Sequence, residues 1–143
     1  MNDLHAALPP AAFLPEDAPQ AVLVGRAWVH GQGPVLVRVT PESLHPHLFG
    51  PRPVVEAVVA EEAGSVVAFA LFFTNFSTFL GKPGLYLEDL YVQAAHRGRG
   101  IGGALLRHLA ALAVRRDCGR FEWSVLDWNA NAIGFYEKLG AQV

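Results

Sequence analysis

Glycines at 98, 100 and 102, with Arg97 and Arg99 beside them, stand where the apolar run Leu90-Tyr91-Val92 gives way to a helix opening at Ile101. Glycine removes the β-carbons that would keep an anion from the backbone, and the first amides of the helix lack intrahelical acceptors and point outward at the positive end of its dipole. A phosphate-rich ligand is the natural occupant of such a turn. The spacing alone also fits a dinucleotide turn or a tight strand-to-helix connection. A dinucleotide fold needs several βαβ units and an acidic residue on a following parallel strand, whereas the segments ahead of this turn read as short, mostly hairpin-linked strands. Further along, Asn129 and Tyr136 are seven residues apart, about two helical turns, and so share one face of a helix or its entry.

The elements that must hold these residues follow from the hydrophobic periods. Val54 to Glu61 and Ser65 to Asn75 are β-rich and joined by Glu62-Ala63-Gly64, a hairpin. Leu85 to Val92 is apolar on both faces, which suits a central strand. From Ile101, apolar residues at 105, 109 and 112 repeat at helical spacing, and Cys118-Gly119 is the expected stop. Arg120 to Leu126 alternates through Phe121, Trp123 and Val125 as a further strand, parallel to Leu85 to Val92 through a right-handed crossover. A last helix runs from about Ala130 to Leu139 with Gly140 as its cap.

Composition bounds the function. At 143 residues, with 52% hydrophobic and 17% charged positions, the chain can bury a core without staples. A net charge of −2 leaves no electrostatic footprint for nucleic acid or an anionic membrane. No segment has the length of a membrane span and no secretory pattern opens the chain, so a cytoplasmic protein is expected. The lone Cys118 implies no disulfide and reads as a small apolar residue near a helix end. His45-Pro46-His47 is too short a pair for a metal site and His96 reads as a polar cap of the turn, so no metal is assigned. Phe72, Phe73, Phe76, Phe79 and Trp123 read mostly as core aromatics. Leu8 to Pro19 reads as an irregular arm.

Taken together, Arg97-x-x-Gly100-x-Gly102 and the later Asn129-x-x-Ala132-x-x-x-Tyr136 resemble the signature of the GNAT superfamily of acetyl-CoA-dependent N-acetyltransferases. Asn75 to Val92, with its Leu87-Glu88-Asp89 step into the turn, is similar to the diamine branch, the spermidine/spermine and thialysine acetyltransferases. The likeness covers roughly Thr40 to the C-terminus. It implies an α/β fold in which a mixed, mostly antiparallel sheet is flanked by helices, and a single domain over 1–143 with 40–143 as its core.

The resemblance assigns the cosubstrate acetyl-CoA to Leu90, Tyr91 and Val92, whose backbone edge would pair with the pantetheine arm where the parallel strands splay. Arg97, Gly98, Arg99, Gly100, Ile101 and Gly102 would hold the pyrophosphate, with Asn129 as helix N-cap or cofactor contact and Tyr136 as a further cofactor contact. Amine acetylation needs a neutral nucleophile, a stabilised oxyanion and a proton for the departing thiolate. Tyr136 is the implied acid and Glu88 the implied base or amine anchor; Asp89 and Trp128 are further candidates for binding the small amine, Trp128 through cation–π contact. Strand alternation puts Glu88 on the face of Tyr86, Leu90 and Val92 and Asp89 on that of Leu87 and Tyr91, so only a bulge would let both line one site.

Both ends depart from the family. Ala21 to Val29 and Pro34 to Val39 are β-patterned around His30-Gly31-Gln32-Gly33, a hairpin where the family has its first helix, and that helix reads as missing. This opening is faintly similar to the β-rich start of fumarylacetoacetate-hydrolase-like proteins, which suggests a fusion upstream of Thr40. Family members continue past Leu139-Gly140-Ala141 into another strand; its absence would leave an edge to be covered by a homodimer or by the N-terminal hairpin. The alternative functions are a CoA-binding module without transfer and a recombinant fold with lost activity.

Overall fold

The computed structural model describes residues 12–13, 26–29, 33–36, 39–126 and 128–141. They divide into two compact units, one holding residues 55–124 and the start of the chain, the other residues 16–54 and 125–143. In the first unit, strands β1 (Ala12–Phe13), β4 (Glu56–Glu62), β5 (Ser65–Ser77), β6 (Lys82–Val92) and β7 (Arg120–Trp123) form one sheet in the order β1-β4-β5-β6-β7. All pairs are antiparallel except β6 with β7, which are parallel through the crossover helix α2 (Ile101–Arg115). The sheet is therefore mixed and mostly antiparallel, as expected, and β6 is internal. The expected arm, Leu8 to Pro19, lies outside the described residues apart from β1.

Helix α2 covers one face of this sheet. Its stripe of Ile101, Leu105, Leu106, Leu109 and Leu112 is buried, and the face it meets carries Val58, Ala70, Phe72 and Leu85, all with no exposed surface. Arg116 then donates to both carboxylate oxygens of Glu56 at 2.6 Å, tying the helix end to the start of β4. The helix stops earlier than Cys118-Gly119. Arg116 is its C-cap and Asp117 takes the left-handed position at φ 52°. The amides of Asp117 and Cys118 donate to the carbonyls of Val114 and Ala113, a Schellman ending that asparagine-like Asp117 satisfies in place of glycine. The strand that follows is also shorter than expected, ending at Trp123 and not at Leu126. Of the expected core aromatics Phe72 is fully buried, but Phe76 and Phe79 are exposed at the β5–β6 end.

In the second unit, β2 (Arg26–Val29) and β3 (Gly33–Leu36) pair antiparallel as the hairpin read from the sequence, the outer parts of which lie outside the described residues. They form their own two-stranded sheet and do not extend the larger one, so β7 is an edge among the described residues. A helix that the sequence reading did not place follows the hairpin. Helix α1 (Pro41–Phe49) begins at Thr40, whose hydroxyl accepts from the Ser43 amide at 3.2 Å while the Ser43 hydroxyl accepts from the Thr40 amide at 2.9 Å. Thr-Pro-x-Ser is a start signal, a reciprocal cap with proline at the first helical position; Pro46 inside the segment obscures it. Helix α3 (Ala130–Lys138) closes on Gly140 at φ 87°, as expected.

The β4–β5 turn places both Ala63 and Gly64 at positive φ, 51° and 77°, a geometry that asparagine and glycine adopt at less cost than alanine. Ala63→Asn is expected to stabilise the protein by about 0.5–1 kcal/mol. Thermal melts should show a higher midpoint; an unchanged or lower one would contradict this account of the turn.

Candidate active site

Strand β6 pairs with β7 only from Gly84 to Leu87, where Leu87 faces Trp123. Beyond that point β7 has ended, so the edge of Glu88 to Val92 turned away from β5 has no strand partner among the described residues. Backbone amides and carbonyls left without a ladder must be met by water or by a ligand. Leu90, Tyr91 and Val92 lie on this stretch, and the Val92 carbonyl accepts from Arg97 Nε at 2.9 Å.

A bulge sits at the same place. Leu87 pairs with Phe72 and Asp89 with the neighbouring Leu71, leaving Glu88 as an extra residue in the ladder. Alternation carries Glu88 to the face of Tyr86, and the bulge brings Asp89, level with Leu71, to that face as well. This corrects the plain alternation read from sequence. Leu90 and Val92 join Leu85 and Leu87 on the α2 face, while Glu88, Asp89, Tyr86 and Tyr91 share the other. Both carboxylates are exposed. Aromatic rings flank them: Phe73 lies 5.1 Å from Tyr86, and Phe69 stacks on Tyr91 at 5.8 Å. Partial burial raises the Asp89 carboxyl above the ordinary range.

After Val92 the chain makes a short 3-10 turn, Ala94 to His96, and then the glycine turn. Gly98 has φ 73° and Gly100, the N-cap of α2, φ 83°, conformations that disfavour any side chain with a β-carbon. The first intrahelical bond runs from the Ala104 amide to the Gly100 carbonyl. The amides of Ile101, Gly102 and Gly103 precede it and have no intrahelical acceptor. Arg97 folds back on the strand end, its Nε donating to the Val92 carbonyl at 2.9 Å and its guanidinium 5.9 Å over the Tyr91 ring. Arg99, expected beside it, sends its guanidinium to Glu62 instead.

The residues of the second motif lie together on the other unit. Asn129 caps α3, its side-chain oxygen accepting from the Ala132 amide at 3.2 Å. Trp128, just before the cap, is half exposed. Tyr136 is half-buried, its ring 5.2 Å from Phe135, and burial raises its hydroxyl pKa. A tyrosine so placed stays protonated throughout the neutral range. Among the described residues no three of His, Cys, Asp or Glu gather as a metal site, and no helix is long and apolar enough to cross a membrane.

These features suit an anionic ligand with an extended amide-bearing arm: a donor-rich helix start for phosphates and an unpaired strand edge for the arm. Comparison with known proteins shows the family. The model of the acetyltransferase (GNAT) family matches residues 26–141, beginning ahead of Thr40 so that the hairpin lies inside the match. Thialysine N-epsilon-acetyltransferase of Mus musculus is 36% identical over 114 residues, 74% of this chain and 66% of that protein. L-ornithine N5-acetyltransferase of Arabidopsis thaliana is 50% identical over 78 residues, 54% of this chain and 34% of its own. The chain thus spans from 34% to 66% of the length of these curated relatives. Among solved structures, an integron cassette protein from the mobile metagenome of V. cholerae superposes with a TM-score of 0.65 at 30% identity, covering 73% of this chain and 67% of that one.

A carboxyl whose pKa is raised on folding favours the native state while protonated and loses that advantage as pH rises through the folded pKa. Asp89→Asn is therefore expected to gain stability over the parent at pH 7, with the gain vanishing below the ordinary aspartate pKa of about 3.9. Urea unfolding at both pH values measures it, and a gain independent of pH would contradict it.

Proposed function

The chain belongs to the GNAT acetyltransferase family, and on that premise we propose that it transfers acetyl from acetyl-CoA to a primary amine of a small diamine, polyamine or lysine-like acceptor. The observation that carries this reading is the unpaired edge of β6 running straight into the glycine turn. Acetyl-CoA, when bound, supplies an electrophilic thioester carbonyl and a thiolate leaving group. The backbone of Leu90, Tyr91 and Val92 holds the arm by strand-like hydrogen bonds. The amides at the start of α2, with Gly98 and Gly100 in left-handed conformations and Arg97 beside them, take the pyrophosphate.

The bulge at Glu88 supports an amine site beside that edge. Two carboxylates on one face, between the Tyr86 and Tyr91 rings, suit a cationic acceptor. Glu88 accepts the proton that the acceptor nitrogen must lose, directly or through water, and Asp89 anchors the amine. Tyr136 gives a proton to the departing sulfur, a role suited to a hydroxyl kept protonated by burial; Asn129 fixes the start of its helix and Trp128 offers a ring to the acceptor. The named relatives act on thialysine and L-ornithine, which favours an acceptor carrying a side-chain amine. A cytoplasmic homodimer that covers the outer edge of β7 belongs to the same reading.

Calorimetric titration with acetyl-CoA, followed by thiol release with diamines, spermidine and lysine analogues, tests it. Binding with turnover is expected; binding without turnover on any amine would refute the transfer. In Tyr136→Phe, turnover should fall by a factor of about 100 or more while acetyl-CoA affinity stays near that of the parent. Full turnover in that variant would remove Tyr136 as the acid. Glu88→Gln should lose turnover at neutral pH and recover it as pH rises and the acceptor deprotonates unaided; a loss that persists at high pH would instead make Glu88 an anchor.

A further inference from the structure

The local bonds of the glycine turn, from the His96 and Arg97 amides to the Gln93 and Ala94 carbonyls and from Arg97 Nε to the Val92 carbonyl, all lie ahead of Gly98. A β-carbon added at Gly98 would meet nothing within 4 Å, and glycines surrender more conformational entropy on ordering than other residues. A row of outward amides binds an anion well only if the row is already fixed. What fixes it lies at the β4–β5 end of the sheet, on β5 next to β6 and on β4 beyond it. The Gln93 amide donates to the Val67 carbonyl at 2.9 Å and its side chain to the Val66 carbonyl at 2.8 Å. From the far side of the turn, Arg99 donates one guanidinium nitrogen to Glu62 Oε2 at 2.8 Å and the other to Oε1. His96 Nε2 stands 3.2 Å from the same Oε2.

We propose that Glu62 is the positioning residue of the phosphate turn, strapping Arg99 and His96 to the β4–β5 hairpin end, and that Arg99 is a strut and not a phosphate ligand. This rests on the acetyl-CoA reading above. The two arginines of the turn divide the work. Arg97 is held at the end of β6, beside the unpaired edge, and supplies the cation. Arg99 is turned to β4, both ends of its fork on one carboxylate, the bidentate arrangement in which an arginine is most firmly placed. Arg99 in turn holds the Glu62 carboxyl below the usual range, so the strap stays charged at neutral pH.

The rival arrangement gives the opposite sign. Were Arg99 a ligand that Glu62 merely sequesters, Glu62→Gln would release it and tighten CoA binding. With a strap, Glu62→Gln and Arg99→Met should each weaken binding of CoA by about three- to tenfold. The double variant should be no weaker than the weaker single, because one interaction is lost only once. Hydrogen exchange at the amides of Gly98 to Gly102 in the ligand-free protein should speed up alike in both singles. Tighter binding in Glu62→Gln, unchanged affinity and exchange, or a loss in Arg99→Met far beyond that in Glu62→Gln would each overturn the proposal. A parent protein that fails to bind CoA would refute the acetyl-CoA reading, and the exchange measurement would then judge the strap alone.

Discussion

The parting of β6 from β7 after Leu87 and Trp123 is the constraint on which the site depends. A strand inside a sheet normally spends its hydrogen-bonding capacity on both neighbours, and an interior strand with one bare edge would be unstable unless that edge met water or a ligand. Here the stretch without a strand partner among the described residues is the five residues from Glu88 to Val92, and each neighbouring feature is arranged around it. The bulge begins where the ladder to β7 stops, adding local twist to the strand. The glycine turn follows directly, so the donors at the start of α2 continue where the unpaired edge ends. Strand edge, carboxylates and the proposed anion cradle thus come from one continuous run of chain.

That continuity is why so much of this part was legible. Glycines at 98, 100 and 102 have few uses at the junction of a strand and a helix, and the structure gives Gly98 and Gly100 the positive φ that demands them. The β4–β5 hairpin, the parallel crossover and the cap at Gly140 were equally readable, because each is written in local spacing and turn chemistry. Helix α1 was not, since a proline at 46 and a short polar segment hide a signal that lies in only Thr40, Pro41 and Ser43. The ending of α2 misled for a related reason: a glycine at 119 drew the eye, while the left-handed position fell to Asp117.

The face of each carboxylate was illegible in principle. Alternation is a rule about an unbroken ladder, and one extra residue inverts it for everything downstream. Nothing in Leu87-Glu88-Asp89-Leu90 marks the insertion, because a bulge is defined by the partner strand, and the partner residues Leu71 and Phe72 are ordinary core side chains. The consequence is chemical. Without the bulge one carboxylate would face α2, where Leu85 and Leu87 are buried and a charge would be costly; with it both lie on the aromatic side and remain exposed.

The strap from Glu62 to Arg99 shows the same limit at longer range. The two residues are 37 positions apart, and no period or motif joins them; they meet because the β4–β5 hairpin and the β6–α2 turn come to the same end of the sheet. The hairpin's type, set by Ala63 and Gly64, therefore fixes where Glu62 stands, and Glu62 fixes the turn. A residue outside every motif can in this way govern how well a motif works. It also explains why two arginines with the same apparent qualification for a phosphate differ: Arg97 finds its acceptor in the strand it follows, and Arg99 finds one in a strand it never touches along the chain. Motif letters identify which side chains are available near a ligand, but the sheet order decides which of them is left free to reach it.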